Sequence, residues 1–178
     1  MPQPRPAVAS LLTHARMQAR AIAILGATGS IGTTTLEVAR AHPSRLRVAG
    51  LAARSRWREL VAPAAEFRVG VVALADPAAA AEAACLPEVS TVVSAVVGTA
   101  GLAPTLAALK ARKDVALASK ELLVLAGKFV MAAAKKHGVK LLPVDSEHNA
   151  IFQCLPLGYQ REPGHHGIRK ILLTASGG

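Results

Sequence analysis

A chain of 178 residues and 18.3 kDa falls in the usual range of one domain, about 100–200 residues, and is long enough to bury a real core. Hydrophobic residues make up 52% and charged residues 18%, with a mean hydropathy of +0.36, which excludes a mainly disordered chain. Aromatic residues contribute only 3%, too few for a stacking platform that would grip single-stranded nucleic acid.

Twenty-one basic residues against 11 acidic ones give a net charge of +10, so an anionic partner is expected: nucleic acid, a membrane surface or a phosphorylated small molecule. Part of the excess is local. No acidic residue precedes Glu37, and Arg5, Arg16 and Arg20 make residues 1–20 a basic tail, read as solvated rather than as a nucleic-acid arm. Cys85 and Cys154 stand far apart with no second pair, which argues against a disulfide framework or a zinc site and suits a reducing compartment. The apolar stretch Ala7 to Leu12 is too short for a secretory signal, so a cytoplasmic location is expected. The uncharged run Val89 to Leu109 is long enough to cross a bilayer. Ser90, Ser94, Gly98, Gly101 and Pro104 interrupt it, however, and it passes from β-branched to Ala/Leu-rich, which predicts strand, loop and helix instead of a membrane span.

In chain order the pattern alternates. Strands are expected at Ala21–Leu25, Leu46–Ala53, Val69–Ala75, Thr91–Val97, Val115–Ala118 and Lys140–Val144. Helices are expected at Thr33–His42, Arg56–Phe67, from Asp76-Pro77 to Cys85, within Gly101–Arg112, and at Glu121–His137. Strands that read as continuous apolar runs are buried on both faces, so the expected fold class is α/β: a doubly wound, mostly parallel, Rossmann-like sheet. After residue 144 the rhythm changes to a short helical piece, Asn149 to Leu155, a loop with Pro163, His165 and His166, and a last strand Ile168–Thr174. Residues 21–144 therefore read as a nucleotide-binding domain, and 145–178 as the start of a second domain.

Four places carry candidate chemistry. Gly26-Ala27-Thr28-Gly29-Ser30-Ile31-Gly32 lies between a strand and a helix, where backbone amides and the positive helix end receive a pyrophosphate; a glycine-rich turn without a ligand is the plain alternative. At the end of the second strand, where an NAD enzyme presents a carboxylate to the ribose about 20 residues past the glycines, this chain has Ala53-Arg54-Ser55-Arg56. Arginine pairs with a 2′-phosphate, so NADPH is favoured over NADH, unless these arginines merely open a solvated helix. Ser119-Lys120-Glu121 follows the fifth strand, where Lys120 either holds a phosphate or pairs with Glu121 on the surface. Asp145-Ser146-Glu147 follows the sixth; in extended chain its two carboxylates would face one side and suit a divalent metal, while a helix N-terminus carrying Asp and Glu explains them equally well. Ser176, in Ala175-Ser176-Gly177-Gly178, sits among loop amides able to take an anion.

Taken together, Ile24–Gly32 (ILGATGSIG), Ala116–Val124 (ALASKELLV), Leu141–Gln153 (LLPVDSEHNAIFQ) and Ile171–Gly178 (ILLTASGG) resemble the 1-deoxy-D-xylulose 5-phosphate reductoisomerases. The glycine segment alone is unspecific, being shared with semialdehyde dehydrogenases, and the third segment is highly specific. The resemblance implies an NADPH- and metal-dependent (Mn²⁺, Mg²⁺ or Co²⁺) rearrangement and reduction of 1-deoxyxylulose 5-phosphate to 2-C-methylerythritol 4-phosphate, by a protein that forms homodimers. It implies that Thr28, Gly29, Ser30, Ile31, Ala53, Arg54, Ser55, Ser119, Lys120 and Glu121 face the cofactor and that Asp145 and Glu147 hold the metal. Lys120, Ser146, Glu147 and Ser176 would meet the sugar phosphate, with Lys120 and Glu147 acting in catalysis. Departures from the family pattern fall at Ala53, where Gly is common, Ser119, where Asn is common, and Leu122, where Ser is common. The family's third metal carboxylate and further phosphate-binding groups are expected beyond Gly178, so these 178 residues alone are expected to be inactive. A non-catalytic NADPH-binding module is the rival reading. A semialdehyde dehydrogenase would need a nucleophilic cysteine at a loop, which neither Cys85 nor Cys154 supplies.

Overall fold

A computed structural model describes residues 18–156, 159 and 167–174. Six strands, β1 (Arg20–Leu25), β2 (Leu46–Ala53), β3 (Val71–Leu74), β4 (Thr91–Ser94), β5 (Asp114–Leu117) and β6 (Leu141–Pro143), alternate with helices. These are α1 (Ser30–Ala41), α2 (Arg58–Glu66), α3 (Pro77–Cys85), α4 (Leu102–Lys110), α5 (Glu121–His137) and α6 (Ser146–Cys154). All strand pairs are parallel, in the order β3-β2-β1-β4-β5-β6. The chain winds outward from β1 first one way and then the other, leaving a topological switch point between β1 and β4.

Side-chain alternation along β1 builds both cores. Ala21, Ala23 and Leu25 join Ala83, Ala84, Leu109, Leu122 and Val130 of α3, α4 and α5 on one face. Ile22 and Ile24 join Leu36, Leu51 and Leu60 under α1 and α2 on the other. The apolar run at 89–109 resolves into β4, a 3₁₀ turn at Thr99–Gly101 and α4, and among the described residues no helix is long and apolar enough to cross a membrane.

The departures from expectation have local causes. Helix α1 begins at Ser30 rather than Thr33, because Gly29 serves as the N-cap and the glycine-rich segment turns directly into the helix. Strands β3 and β4 are shorter than Val69–Ala75 and Thr91–Val97: β3 ends before Ala75, where φ is 56, and β4 ends at Ser94, one last bond running from the Ala95 amide to the Leu25 carbonyl at 2.9 Å. Helix α6 begins at Ser146 rather than Asn149, the Asn149 amide donating to the Asp145 carbonyl at 2.8 Å. Ile168–Thr174 is not a strand: it runs with no ladder partner among the described residues, and propensity without a neighbouring strand makes none.

Candidate functional site

The loops at the carboxyl ends of β1, β2, β5 and β6 share one edge of the sheet, the edge at which ligands of open α/β folds bind. After β1 the loop is shaped by backbone. Gly26 has φ +86, and a methyl there would lie 2.5 Å from the Ala95 carbonyl oxygen, so the β1 loop is pressed against the β4 loop at the switch point. Gly32, in the first turn of α1, would drive a methyl to 2.6 Å from the Ala27 Cα. The Gly26 and Ala27 amides both donate to the Ala52 carbonyl at 2.9 Å, and the Gly29 amide closes a turn onto Gly26 at 3.0 Å. Helix α1 has no side-chain cap, so the amides of Ser30, Ile31 and Gly32 have no intrahelical acceptor and point where an anion is stabilised.

At the end of β2, Ala53 is buried while Arg54, Ser55 and Arg56 are exposed. The Arg56 guanidinium donates to the Thr28 carbonyl and pairs with Glu59 at 3.2 Å.

At β5 and β6 the site is made of charged side chains. Buried Ser119 donates its hydroxyl to the Val96 carbonyl. Lys120 opens α5, and its ammonium lies 3.1 Å from Asp145 Oδ2; His148 Nδ1 donates to the same oxygen, also at 3.1 Å. Asp145 Oδ1 has no protein partner among the described residues. Its pairing with Lys120 holds the Asp145 carboxyl below the usual range, and the same pairing raises the Lys120 ammonium. Glu147 is also held low, by its own backbone amide and then by the Ser146 hydroxyl, which donates to Oε2 at 2.9 Å. Both acids are therefore ionised at neutral pH and present hard oxygen donors.

A family model described as 1-deoxy-D-xylulose 5-phosphate reductoisomerase matches residues 22–84 and 74–127, and one for the C-terminal domain of the same enzyme matches 141–178. The chain belongs to the 1-deoxy-D-xylulose 5-phosphate reductoisomerase family. A relative of that name from Dechloromonas aromatica is 47% identical over 88% of this chain. The chain spans less than half the length of that relative, 45%. A crystal structure of DOX-P reductoisomerase in complex with NADPH, fosmidomycin and magnesium superposes with a TM-score of 0.77 at 43% identity, over 83% of this chain and 42% of that one. The Zymomonas mobilis reductoisomerase in complex with NADPH gives 0.74 at 38% identity, over 79% and 42%.

Against this membership, the structure brings together most of the residues singled out in the sequence. Thr28, Gly29, Ser30 and Ile31 lie on the β1 loop and first turn of α1, with Ala53 at the end of neighbouring β2 and Arg54 and Ser55 on the loop after it. Lys120, Asp145, Ser146 and Glu147 gather at the adjacent ends of β5 and β6. Glu121, in the first turn of α5, is exposed, and the partner Lys120 takes is Asp145 rather than Glu121. Asp145 and Glu147 do not align along an extended segment: Asp145 is the N-cap of α6 and Glu147 lies in its first turn, where residues two apart diverge. Asp145 lines a 300 Å³ hollow with Lys120, His148 and Phe152, whereas Glu147 lines a 460 Å³ hollow with Lys170 and Leu172. No cluster of three metal-ligating groups exists among the described residues, and Ser176, His165 and His166 lie outside them. Besides the pairing of Lys120 with Asp145, two contacts escaped the sequence reading. His148 lies three residues after Asp145, a helical neighbour once α6 is known to start at Ser146, and Arg56 stood in the arginine cluster without its link to Thr28 being visible.

Proposed function

We propose that this chain is the NADPH-binding portion, with the opening of the catalytic portion, of an enzyme that converts 1-deoxy-D-xylulose 5-phosphate to 2-C-methyl-D-erythritol 4-phosphate. Residues 21–144 form the cofactor domain, and 145–178 begin the metal- and substrate-binding domain. The observation that carries this reading is that both candidate site groups lie on one sheet edge: the glycine loop with its arginines, and Lys120 with Asp145. The NADPH named for the neighbouring structures is transferred on that basis. The amides of Ser30 and Ile31, with Thr28 and Gly29, would hold the pyrophosphate, and Arg54 and Ser55, with Ala53 beside them, would hold the adenosine 2′-phosphate end. Ser119, Lys120 and Glu121 would face the nicotinamide end of the cofactor, with the Ser119 hydroxyl held by its bond to the Val96 carbonyl.

The donor chemistry at Asp145 and Glu147 suits a divalent cation, both being ionised and Oδ1 of Asp145 unclaimed among the described residues, although in this arrangement the two carboxylates line separate hollows. Magnesium is named for the neighbouring structures, and manganese or cobalt suits the same oxygens. Bound there, the cation supplies Lewis acidity toward the substrate's carbonyl and hydroxyl oxygens, and NADPH supplies the hydride. Lys120 carries a full positive charge and would hold a developing oxyanion, Ser146 would hydrogen-bond the sugar, and Ser176, outside the described residues, is proposed to take its phosphate. Two carboxylates are a thin shell, and the chain spans under half of its relatives' length, so these residues alone are expected to show no turnover. The whole protein is proposed to work as a homodimer in the cytoplasm, without membrane or nucleic acid.

Calorimetry of NADPH and NADH binding to the 178-residue chain and to Arg54→Glu tests the reading. Selective NADPH binding is expected, weakened about ten- to a hundredfold in the variant, the range of a lost charged hydrogen bond. Binding of neither nucleotide would overturn it, and NADPH binding without Mn²⁺ uptake would favour the non-catalytic module.

A further inference from the structure

We infer that Arg56 is a latch between the two loops of the cofactor site, a positioning residue that sets nucleotide affinity without reading the 2′-phosphate. The inference rests on the NADPH-binding reading above, in which the β1 loop takes the pyrophosphate and the β2 loop the adenosine end.

The geometry begins with the Thr28 carbonyl. The turn around it is internally bonded: Gly29 donates to Gly26 at 3.0 Å, and Thr33 donates to Gly29 through its amide at 2.8 Å and its hydroxyl at 3.1 Å. The carbonyl of Thr28 is left out of this set, since no backbone amide among the described residues reaches it. It accepts from the Arg56 guanidinium. Arg56 is itself held at both ends. Its second nitrogen pairs with Glu59 at 3.2 Å, and its backbone sits at the start of α2, where Glu59 donates to the Arg56 carbonyl at 3.2 Å. Leu60, one residue further on, is 2% exposed and seats the helix against the core.

One side chain thus spans from the anchored start of α2 to the outer face of the phosphate loop. A guanidinium can do this because its forked donors serve Thr28 and Glu59 together, whereas an ammonium offers a single point of contact. Arg54, two residues earlier, is exposed with no partner among the described residues, which leaves it available to a ligand while Arg56 is committed to the protein. The two arginines divide the work: Arg54 selects and Arg56 positions.

The test compares the full 178-residue chain with Arg56→Ala, Arg56→Lys and Arg54→Ala, using 2′,5′-ADP and 5′-AMP, which differ only in the 2′-phosphate, as probes together with amide hydrogen exchange in the nucleotide-free protein. Arg56→Ala is expected to weaken both probes by the same factor, roughly fivefold, the scale of one partly exposed charged hydrogen bond, and to speed exchange at residues 27–32. Arg56→Lys is expected to recover part of both effects, and Arg54→Ala to weaken 2′,5′-ADP alone. A preferential loss of 2′,5′-ADP in Arg56→Ala would overturn the inference, because Arg56 would then read the phosphate directly. Unchanged exchange at 27–32 would overturn the latch even if affinity fell. If the parent chain bound neither probe, the NADPH reading would fail and with it the affinity half of the inference, while exchange would still decide whether Arg56 fastens the loops.

Discussion

The two halves of the sheet edge are built from different materials. On the β1–β2 side the phosphate loop is shaped by backbone: Gly26 and Gly32 leave no room for a methyl, and unpaired amides face outward. On the β5–β6 side Lys120, Asp145, Glu147 and His148 are charged or polar side chains, all but Asp145 largely exposed. A site made of backbone is inseparable from the fold, since altering it alters packing. A site made of surface side chains can lose its chemistry while the fold survives. The first kind should therefore fail through stability and the second through ligand binding.

The largest expected effect breaks the first half. Gly32→Ala forces a methyl against the Ala27 backbone, where the neighbours are main-chain atoms that cannot swing aside. Such overpacking costs about 3 kcal/mol, or roughly 6–12 °C in Tm for a chain of this size. Gly29→Ala is the control: its methyl would meet only the Gly26 carbonyl, at 3.3 Å, and should cost under about 1 kcal/mol. Equal losses in the two variants, followed by thermal melts, would mean that the crowding at Gly32 is not what shapes the loop.

A smaller effect separates the second half. Asp145→Asn keeps the shape of the side chain and removes the charge that Lys120 and His148 share. The pair is partly solvated, so Tm should change by less than about 3 °C. Mn²⁺ affinity, followed by the electron paramagnetic resonance of the free ion, should fall at least about tenfold, since affinity tracks the number and charge of ligands. Glu147→Gln should lower it as well. A large stability loss with Mn²⁺ binding intact would reverse the assignment and make the pairing of Asp145 with Lys120 and His148 structural.

The same contrast explains what could be read from the sequence. Apolar runs and glycines are local signals, and the strand–helix alternation, the span of β2 and the glycine loop were legible because each depends on neighbours in the chain. The pairing of Lys120 with Asp145 was not, since the two residues meet only because β5 and β6 lie side by side with Leu117 opposite Pro143. The extended reading of Asp145 and Glu147 failed for a local reason. Asp145 turns the chain into α6 immediately after β6, so the two acids stand at a helix N-terminus rather than along extended chain. Ile168–Thr174 has the composition of a strand, but composition does not supply the partner that a ladder needs.

The smallest effect concerns a charged fastening between α1 and α2, the helices that carry the backbone-built half. Arg40 of α1 forks onto Glu66 of α2 at 2.5 and 2.6 Å and lies over the Phe67 ring at 5.6 Å. The Arg40 hydrogen bond holds the Glu66 carboxyl below its usual range. With the folded value depressed, the unfolded chain takes up a proton first as pH falls, so the contribution is full above the ordinary glutamate pKa of about 4.3 and is lost as pH drops through the lower folded value. Both side chains are substantially exposed, 49% and 40%, so solvent and salt screen the pair. Glu66→Gln should lower Tm by at most about 2 °C at pH 7 in low salt. The gap between variant and parent should close as pH approaches 3 and as salt is raised to about 1 M. A gap that persists through both titrations would show that the α1–α2 contact is held by the Arg40–Phe67 packing and the carboxyl's shape, and that charge contributes nothing to the stability of the nucleotide side.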